Sequence, residues 1–309
     1  MDTDTAIRIV EVSPRDGLQN IPTYIPASTK TSLIAHLSRT GLRSIELTSI
    51  VSPQLVPQLS DCRDVLRSDV VQKLMKEGSG EEGGEGGEGE MRFPVLVPNL
   101  KGLETALQYG VKEVAVFVSA AEGFSRANIN CDVAEGLRRA VEVARRARGV
   151  GVAVRGYISC IFTDPTTTPA TPTPPSSILT CVNSLLHAGC YEISLGDTTG
   201  CGTAHLTTSL IHYLTSRSIP ISKLAAHFHD THNLGLENVW AAYCCGVRVF
   251  DSSVAGLGGC PFAPGARGNV ATEEVVGMFE GRGVKTGVDE LKLKEVVGWV
   301  RGNGTRISR

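Results

Sequence analysis

"EVSPRDGLQN", residues 11–20, overlaps the end of the first apolar run, "IRIVEV" (7–12), and its reading decides the fold. An open, doubly wound α/β sheet would carry a glycine-rich phosphate turn directly after that strand. This segment is not one: it offers the reactive side chains Arg15, Asp16 and Gln19 instead. Polar groups gathered where a strand ends are what a closed (β/α)8 barrel presents on its active-site face.

The rest of the chain repeats the pattern. Further β-rich runs occur at 43–48, 93–98, 113–119, 152–160, 191–196, 224–230 and 247–254. Helix-like segments at 29–40, 54–75, 132–148, 176–188, 204–217 and 233–245 separate most of them. Strands alternating with helices argue for a parallel sheet, and eight such units fit one barrel. The expectation is an α/β fold of the (β/α)8 TIM-barrel type, a single domain over 1–309, with a Gly-rich catalytic loop after the eighth strand. Two segments stand outside the pattern. Residues 77–90, "EGSGEEGGEGGEGE", are flexible and self-repelling, and read as a disordered insert. Residues 163–177, "TDPTTTPATPTPPSS", read as an extended, poorly helical loop on the active-site face, a candidate lid or entrance wall.

Composition narrows the class of function. The 309 residues carry a formal charge of −2 and are 41% hydrophobic, ordinary for a soluble globular protein. That charge balance gives no case for nucleic acid or an anionic membrane as partner. The cluster Arg138, Arg139, Arg145, Arg146 and Arg148 suits the wet face of a helix. No apolar run is long enough to span a bilayer. The start "MDTDTAIRIVEV" reads as neither a secretory signal nor a transit peptide, and "TRISR" is not a peroxisomal address. Nine scattered cysteines without CxxC spacing point to free thiols in a reducing compartment. The expected location is the cytoplasm, with mitochondrial import through other signals left open.

Candidate chemistry concentrates at strand ends. Arg15, Asp16 and Gln19 follow the first strand, Glu46 ends the second, and Asn99 follows the third. Ser119 and Glu122 follow the fourth, Tyr157 and Cys160 lie on the fifth, and Asp197 ends the sixth. Asp251 and Ser252 lie on the eighth. The seventh ends in "HFHD": His227 and His229 share one face of a strand and so aim two imidazoles at one point. That serves a metal, or is only a polar strand end meeting water. The loop "SSVAGLGGCPFAPGARGNVATEE" (252–274) mixes permissive glycines with Pro261 and Pro264 and carries Cys260, either a buried packing residue or a thiol brought to a site. Asn269, near its end, offers an oxygen to a hard cation or caps the next helix.

"EVSPRDGLQN", "GCYEISLGDTTG", "HFHDT" and "SSVAGLGGCPFAPGARGNVATE" together resemble the 3-hydroxy-3-methylglutaryl-CoA lyase family, from about residue 7 to about residue 290. The resemblance implies a metal-dependent barrel enzyme, usually a homodimer, that splits its acyl-CoA substrate into acetyl-CoA and acetoacetate by a retro-Claisen reaction. It implies Asp16, His227, His229 and Asn269 as ligands of a divalent cation, Mg²⁺ or Mn²⁺. It implies Arg15 and Cys260 as catalytic residues, with Glu46 and Asp197 as acidic residues of the active site. Arg15, Gln19 and Asn99 are the candidate substrate contacts. His227 and Asp16 are both candidates for the base that takes the hydroxyl proton. The sequence departs from the family pattern at the Thr/Pro loop, at Ala121 and Ala127, and at His232 and Asn233, where an aromatic or basic residue followed by glycine is commoner. Related readings are a lyase for another 3-hydroxy-3-substituted glutaryl-CoA, a Claisen-type condensing synthase with the same metal site, and a non-catalytic barrel that binds acyl-CoA.

The insert generates the first prediction. Residues 77–90 hold no apolar side chain to offset the entropy of ordering them. A chain lacking them is expected to keep its melting temperature and its turnover, measured by calorimetry and by acetyl-CoA release.

Overall fold

The computed structural model describes residues 6–78, 91–259 and 268–302. The strands are β1 (Arg8–Glu11), β2 in two pieces (Ser44–Ile45 and Thr48–Ser49), β3 (Val95–Leu96), β4 (Glu113–Ser119), β5 (Ala153–Ser159), β6 (Glu192–Asp197), β7 (Leu224–Phe228) and β8 (Val249–Ser252). Every neighbouring pair is parallel. The ladder runs from the first piece of β2 through β1, β8, β7, β6, β5, β4 and β3 to the second piece of β2. The two ends of the sheet are therefore one run of chain, and the barrel is closed. Backbone bonds confirm the closure. Glu46 N donates to Glu11 O at 2.9 Å on one side, while Ile45 N and Leu47 N donate to Arg92 O and Pro94 O, each at 3.0 Å, on the other.

The strand expectations hold to within a few residues, and the helix expectations need correction. The span 54–75 is not one helix. It divides into a 3-10 turn (Pro57–Leu59) and helices α2 (Cys62–Arg67) and α3 (Asp69–Gly78), after α1 (Ala27–Leu37). The break falls at Ser68, whose hydroxyl donates to Val65 O at 2.9 Å and accepts from Val71 N at 3.3 Å. Local side-chain bonding of this kind competes with the helical ladder. Glu77 and Gly78 close α3, with Gly78 buried, so they belong to the barrel rather than to the insert, and the deletion expected to be neutral narrows to 79–90, which lie outside the described residues. Helices α4 (Leu100–Gln108), α5 (Glu122–Ile129) and α11 (Glu290–Gly302) were not among the expected segments. Between α5 and α11 lie α6 (Val133–Arg148), α7 (Pro175–His187), α8 (Ala204–Thr215), α9 (Gly235–Cys244) and α10 (Thr272–Glu280). Arg138 and Arg139 lie on the solvated face of α6, both paired with Glu135.

The Thr/Pro segment is more ordered than its composition suggests. Thr163–Asp164 pairs antiparallel with Thr171–Pro172, and α7 already begins at Pro175, a residue suited to a helix start. Asp164 pins this hairpin to the start of α5 by accepting from Gly123 N at 2.7 Å. Asn233 has a left-handed φ of 60°. Asparagine tolerates that conformation, which explains why it can stand where glycine is commoner.

The core lies between strands and helices, with Leu33, Ile34, Val154 and Ile193 fully buried. The lumen is different. Barrels of this type usually fill it with layers of branched aliphatic residues. Here Arg155, Ser194, Asp251 and Glu46 are buried, and Arg155 and Ser194 hydrogen-bond to Asp251 inside the barrel.

Candidate metal centre and active site

The site begins in the turn after β1. Ser13–Gly17 form one π-helical turn that carries Arg15 and Asp16, both buried. Gly17 lets this turn pack closely: a Cβ there would lie 2.5 Å from Ser253 Oγ and 3.0 Å from Leu257 Cβ. Glu11, fully buried, stitches the same region together. It accepts from Ser13 N and from Val254 N, each at 3.0 Å, and from Thr272 Oγ1 at 2.6 Å. The turn after β1 and the segment after β8 are thereby fixed to each other.

Asp16 faces the histidines. Its Oδ2 lies 3.9 Å from His227 Nε2 and 4.0 Å from His229 Nε2. One ligand atom from each of the three falls within 4.8 Å of the others. Asn269 joins them from the segment after β8, its Nδ2 donating to Asp16 Oδ2 at 2.8 Å. Asp230 N to Gly268 O at 2.7 Å and Val270 N to Phe228 O at 3.2 Å hold Asn269 beside His229. Burial would raise the Asp16 pKa, but Arg15 and the two histidines outweigh it and bring it to about 2. Burial, then His227, pushes His229 down to about 4. An anionic carboxylate and a neutral imidazole are the forms that bind a metal.

These residues fit a divalent cation. Asn269 Oδ1 is buried without a hydrogen-bond partner. Such an orphan costs about 1–3 kcal/mol unless something takes its lone pairs. One carboxylate, two imidazoles and an amide oxygen form a mixed N/O set.

Arg15 lies against this cluster. Its Nε donates to Glu46 Oε2 at 2.8 Å, and its Nη1 pairs with Asp16 Oδ1. Burial opposes its charge, yet Glu46 and Asp16 hold the guanidinium above its ordinary pKa. Burial pushes the Glu46 carboxyl up, against the pull of Arg15.

The other sequence candidates divide. Gln19 spends its amide on Asp16, donating to Oδ1 at 2.8 Å, so here it steadies a proposed ligand. Asn99 is exposed and caps α4, its Oδ1 accepting from Gly102 N at 2.9 Å. Asp197 does not face the lumen. Gly196 pairs in register with inward-facing His227, and Asp197 with Phe228, so alternation turns Asp197 toward the helices. Its carboxylate instead shapes the following turn, accepting from Gly200 N at 3.1 Å and Gly202 N at 2.8 Å. Cys260 lies outside the described residues.

The HMGL-like family matches residues 6–300. The chain belongs to that family. It is 47% identical to the mitochondrial hydroxymethylglutaryl-CoA lyase of Arabidopsis thaliana over 93% of its own length, and spans 57% of that relative. It is 45% identical to the 3-hydroxy-3-isohexenylglutaryl-CoA/hydroxymethylglutaryl-CoA lyase of Pseudomonas aeruginosa, covering all of this chain and 98% of the relative. The crystal structure of the HMG-CoA lyase from Brucella melitensis superposes with a TM-score of 0.85 at 41% identity, over 96% of this chain and 98% of the other.

This HMGL-like barrel also contains residues whose part the sequence did not reveal. His227 Nδ1 lies 3.2 Å from Asp251 Oδ2, leaving Nε2 toward Asp16. Asp251 also accepts from Ser194 Oγ at 2.7 Å and from Arg155 Nη2 at 2.7 Å. Burial opposes its charge, but Arg155 and His227 hold it below the usual carboxylate range. The available signal was a charged residue within each of three apolar strands: Arg155, Glu192 and Asp251.

A carboxylate behind a liganding histidine fixes its tautomer, and its loss typically weakens metal binding about 10–100-fold. Asp251→Asn is expected to weaken Mn²⁺ binding on that scale, measured by titration calorimetry. Affinity unchanged from the parent would remove Asp251 from this role.

Proposed function

We propose that the protein cleaves 3-hydroxy-3-methylglutaryl-CoA into acetyl-CoA and acetoacetate. The observation that carries this reading is the convergence of Asp16, His227 and His229, with Arg15 ion-paired to the same Asp16, at one end of a closed barrel. Relatives at 45% and 47% identity are named as lyases, which favours cleavage over condensation. The P. aeruginosa relative's name also supports a second substrate, a glutaryl-CoA with a longer 3-substituent.

Asp16, His227, His229 and Asn269 would hold the cation, and its N/O ligand set suits Mg²⁺ or Mn²⁺. When bound it acidifies and orients the substrate hydroxyl. The hydroxyl proton leaves to the Asp16–His227 pair, whose facing atoms are 3.9 Å apart. The oxygen's electron pair forms the ketone, and the C2–C3 bond breaks. The pair from that bond passes into the thioester as an enolate. Arg15, whose charge is fixed by Glu46 and Asp16, stabilises the enolate oxygen. A proton on the enolate carbon then completes acetyl-CoA, and the family resemblance assigns its donation to Cys260. The thioester makes acyl-CoA the partner molecule. A homodimer follows from the resemblance, and a cytoplasmic setting fits free thiols in a reducing compartment. Among the described residues no helix is long and apolar enough to cross a membrane.

The deciding experiment is acetyl-CoA release from a panel of 3-hydroxyacyl-CoA thioesters, with and without chelator. Release is expected from the 3-methyl substrate, lost with chelator and restored by Mg²⁺ or Mn²⁺. Arg15→Lys keeps the charge but loses the planar fork. It is expected to lower kcat by ~10²–10³ with little change in KM, the scale for one oxyanion donor. Cys260→Ser is expected to lower kcat while leaving metal affinity intact. Near-normal turnover in both variants would refute these two roles.

A further inference from the structure

The lumen has two unlike sides. Asp16, His227 and Asp251 belong to the side built by β1, β7 and β8. On β3, β4 and β5 the inward residues Leu96, Ala115, Phe117 and Tyr157 pack as an apolar cluster separate from the main core, beside Arg155 and, by alternation, Ser119 and Ser159 on the same face. Register places Leu96 beside Ala115, and Phe117 beside Tyr157. Residues side by side in a parallel sheet project to the same face. The Tyr157 hydroxyl meets Glu46 and Arg155 inside the barrel, so that face is the lumen.

Phe117 differs from its strand. It is the one position of β4 that is not buried. β4 is flanked by β3 and β5, and its outer face is packed by α6. Solvent reaches an inward ring there only through the mouth of the barrel, so Phe117 forms part of the wall of the active-site cavity. Tyr157 joins this wall to the chemistry. Its ring centroid lies 6.2 Å from that of His227, and the Arg15 guanidinium carbon 5.1 Å from the Tyr157 centroid. The apolar wall thus begins one side chain away from both the cation cluster and the arginine.

We infer that Phe117, with Leu96 and Ala115, is the subsite for the substituent on C3 of the substrate and sets the size it accepts. The inference rests on the lyase reading above. The thioester oxygen, the hydroxyl and the terminal carboxylate all seek charge or hydrogen-bond donors, which the opposite side supplies. The C3 substituent has no hydrogen-bonding capacity, and its favourable surroundings are aliphatic and aromatic carbon. The hydroxyl on that same carbon is drawn to the Asp16–His227–His229 cluster, which keeps the substituent close to Tyr157 and its neighbour Phe117. The P. aeruginosa relative is named for both a methyl and an isohexenyl substituent, so substituent size is a variable among relatives of this chain.

The test compares kcat/KM for three thioesters that differ only at C3: hydrogen (3-hydroxyglutaryl-CoA), methyl and n-butyl. Ratios between substrates within one variant, set against the same ratios in the parent, cancel intrinsic reactivity. One methylene in an apolar pocket is worth about 10-fold or more in kcat/KM. Phe117→Ala is expected to lower the methyl-over-hydrogen preference about tenfold and to raise the butyl-over-methyl ratio by a similar factor. Mn²⁺ affinity is expected to stay at the parental value. If Phe117→Ala does not fold, Phe117→Leu carries the same comparison with less lost volume. Substrate ratios within twofold of the parent, whatever the absolute rates, would overturn the subsite assignment while leaving the lyase reading intact. A folded parent protein that releases acetyl-CoA from none of the three would instead overturn the lyase reading.

Discussion

A single guanidinium organises the interior. Arg155 is almost wholly buried, and its side chain donates to Glu192 on β6, to Tyr157 on its own strand and to both oxygens of Asp251 on β8. A charge held there without partners would cost several kcal/mol, so its geometry is over-determined by the groups that surround it. Such networks are weak evidence for stability but good devices for fixing position. Asp251 passes that fixed position to His227, and Tyr157 passes it to Glu46 and so to Arg15. The metal side and the arginine side of the site therefore share one rigid reference.

The second organiser is Glu11. Its carboxylate ties the turn that carries Asp16 to the segment after β8 that leads to Asn269. Two candidate ligands distant in sequence are held together by a residue bonded to neither. Burial pushes its pKa up although hydrogen bonds from Thr272, Ser13 and Val254 oppose the shift.

The barrel and the convergence of the two histidines were legible in the sequence because both depend on period. His-x-His in an extended run has one geometrical outcome, and the structure gives it. Asp16 and Asn269 arrive at the same point, as the family resemblance required. Asp197 shows where that reasoning needed one more step: Ser194 and Gly196 face inward in "EISLGD", so the residue between and the residue after them face outward. Asn99 satisfied the strand-end rule, yet it serves the following helix as a cap. Arg155 and Glu192 were hidden for another reason, and so was the role of Asp251, noted only as a polar strand-end residue. A charged residue inside an apolar strand reads as an anomaly until its partners, which lie 37 and 96 residues away, are known. Phe117 was hidden by the opposite cause, since an aromatic residue in a strand looks like ordinary core.

The seam where β1 meets β8 joins residues from the two ends of the chain, Arg8 with Val249 through Glu11 with Ser252. Contacts of such long sequence separation carry the largest loop-closure entropy, and topologies that need them fold slowly. The candidate ligands come from both sides of that seam: Asp16 from the first turn, and His227, His229 and Asn269 from the last third of the chain. A cation held by these four residues would bind the barrel closed at this seam and not a chain still open there, which has the histidines but lacks the carboxylate; its binding free energy would then add to the closure that the backbone makes costly.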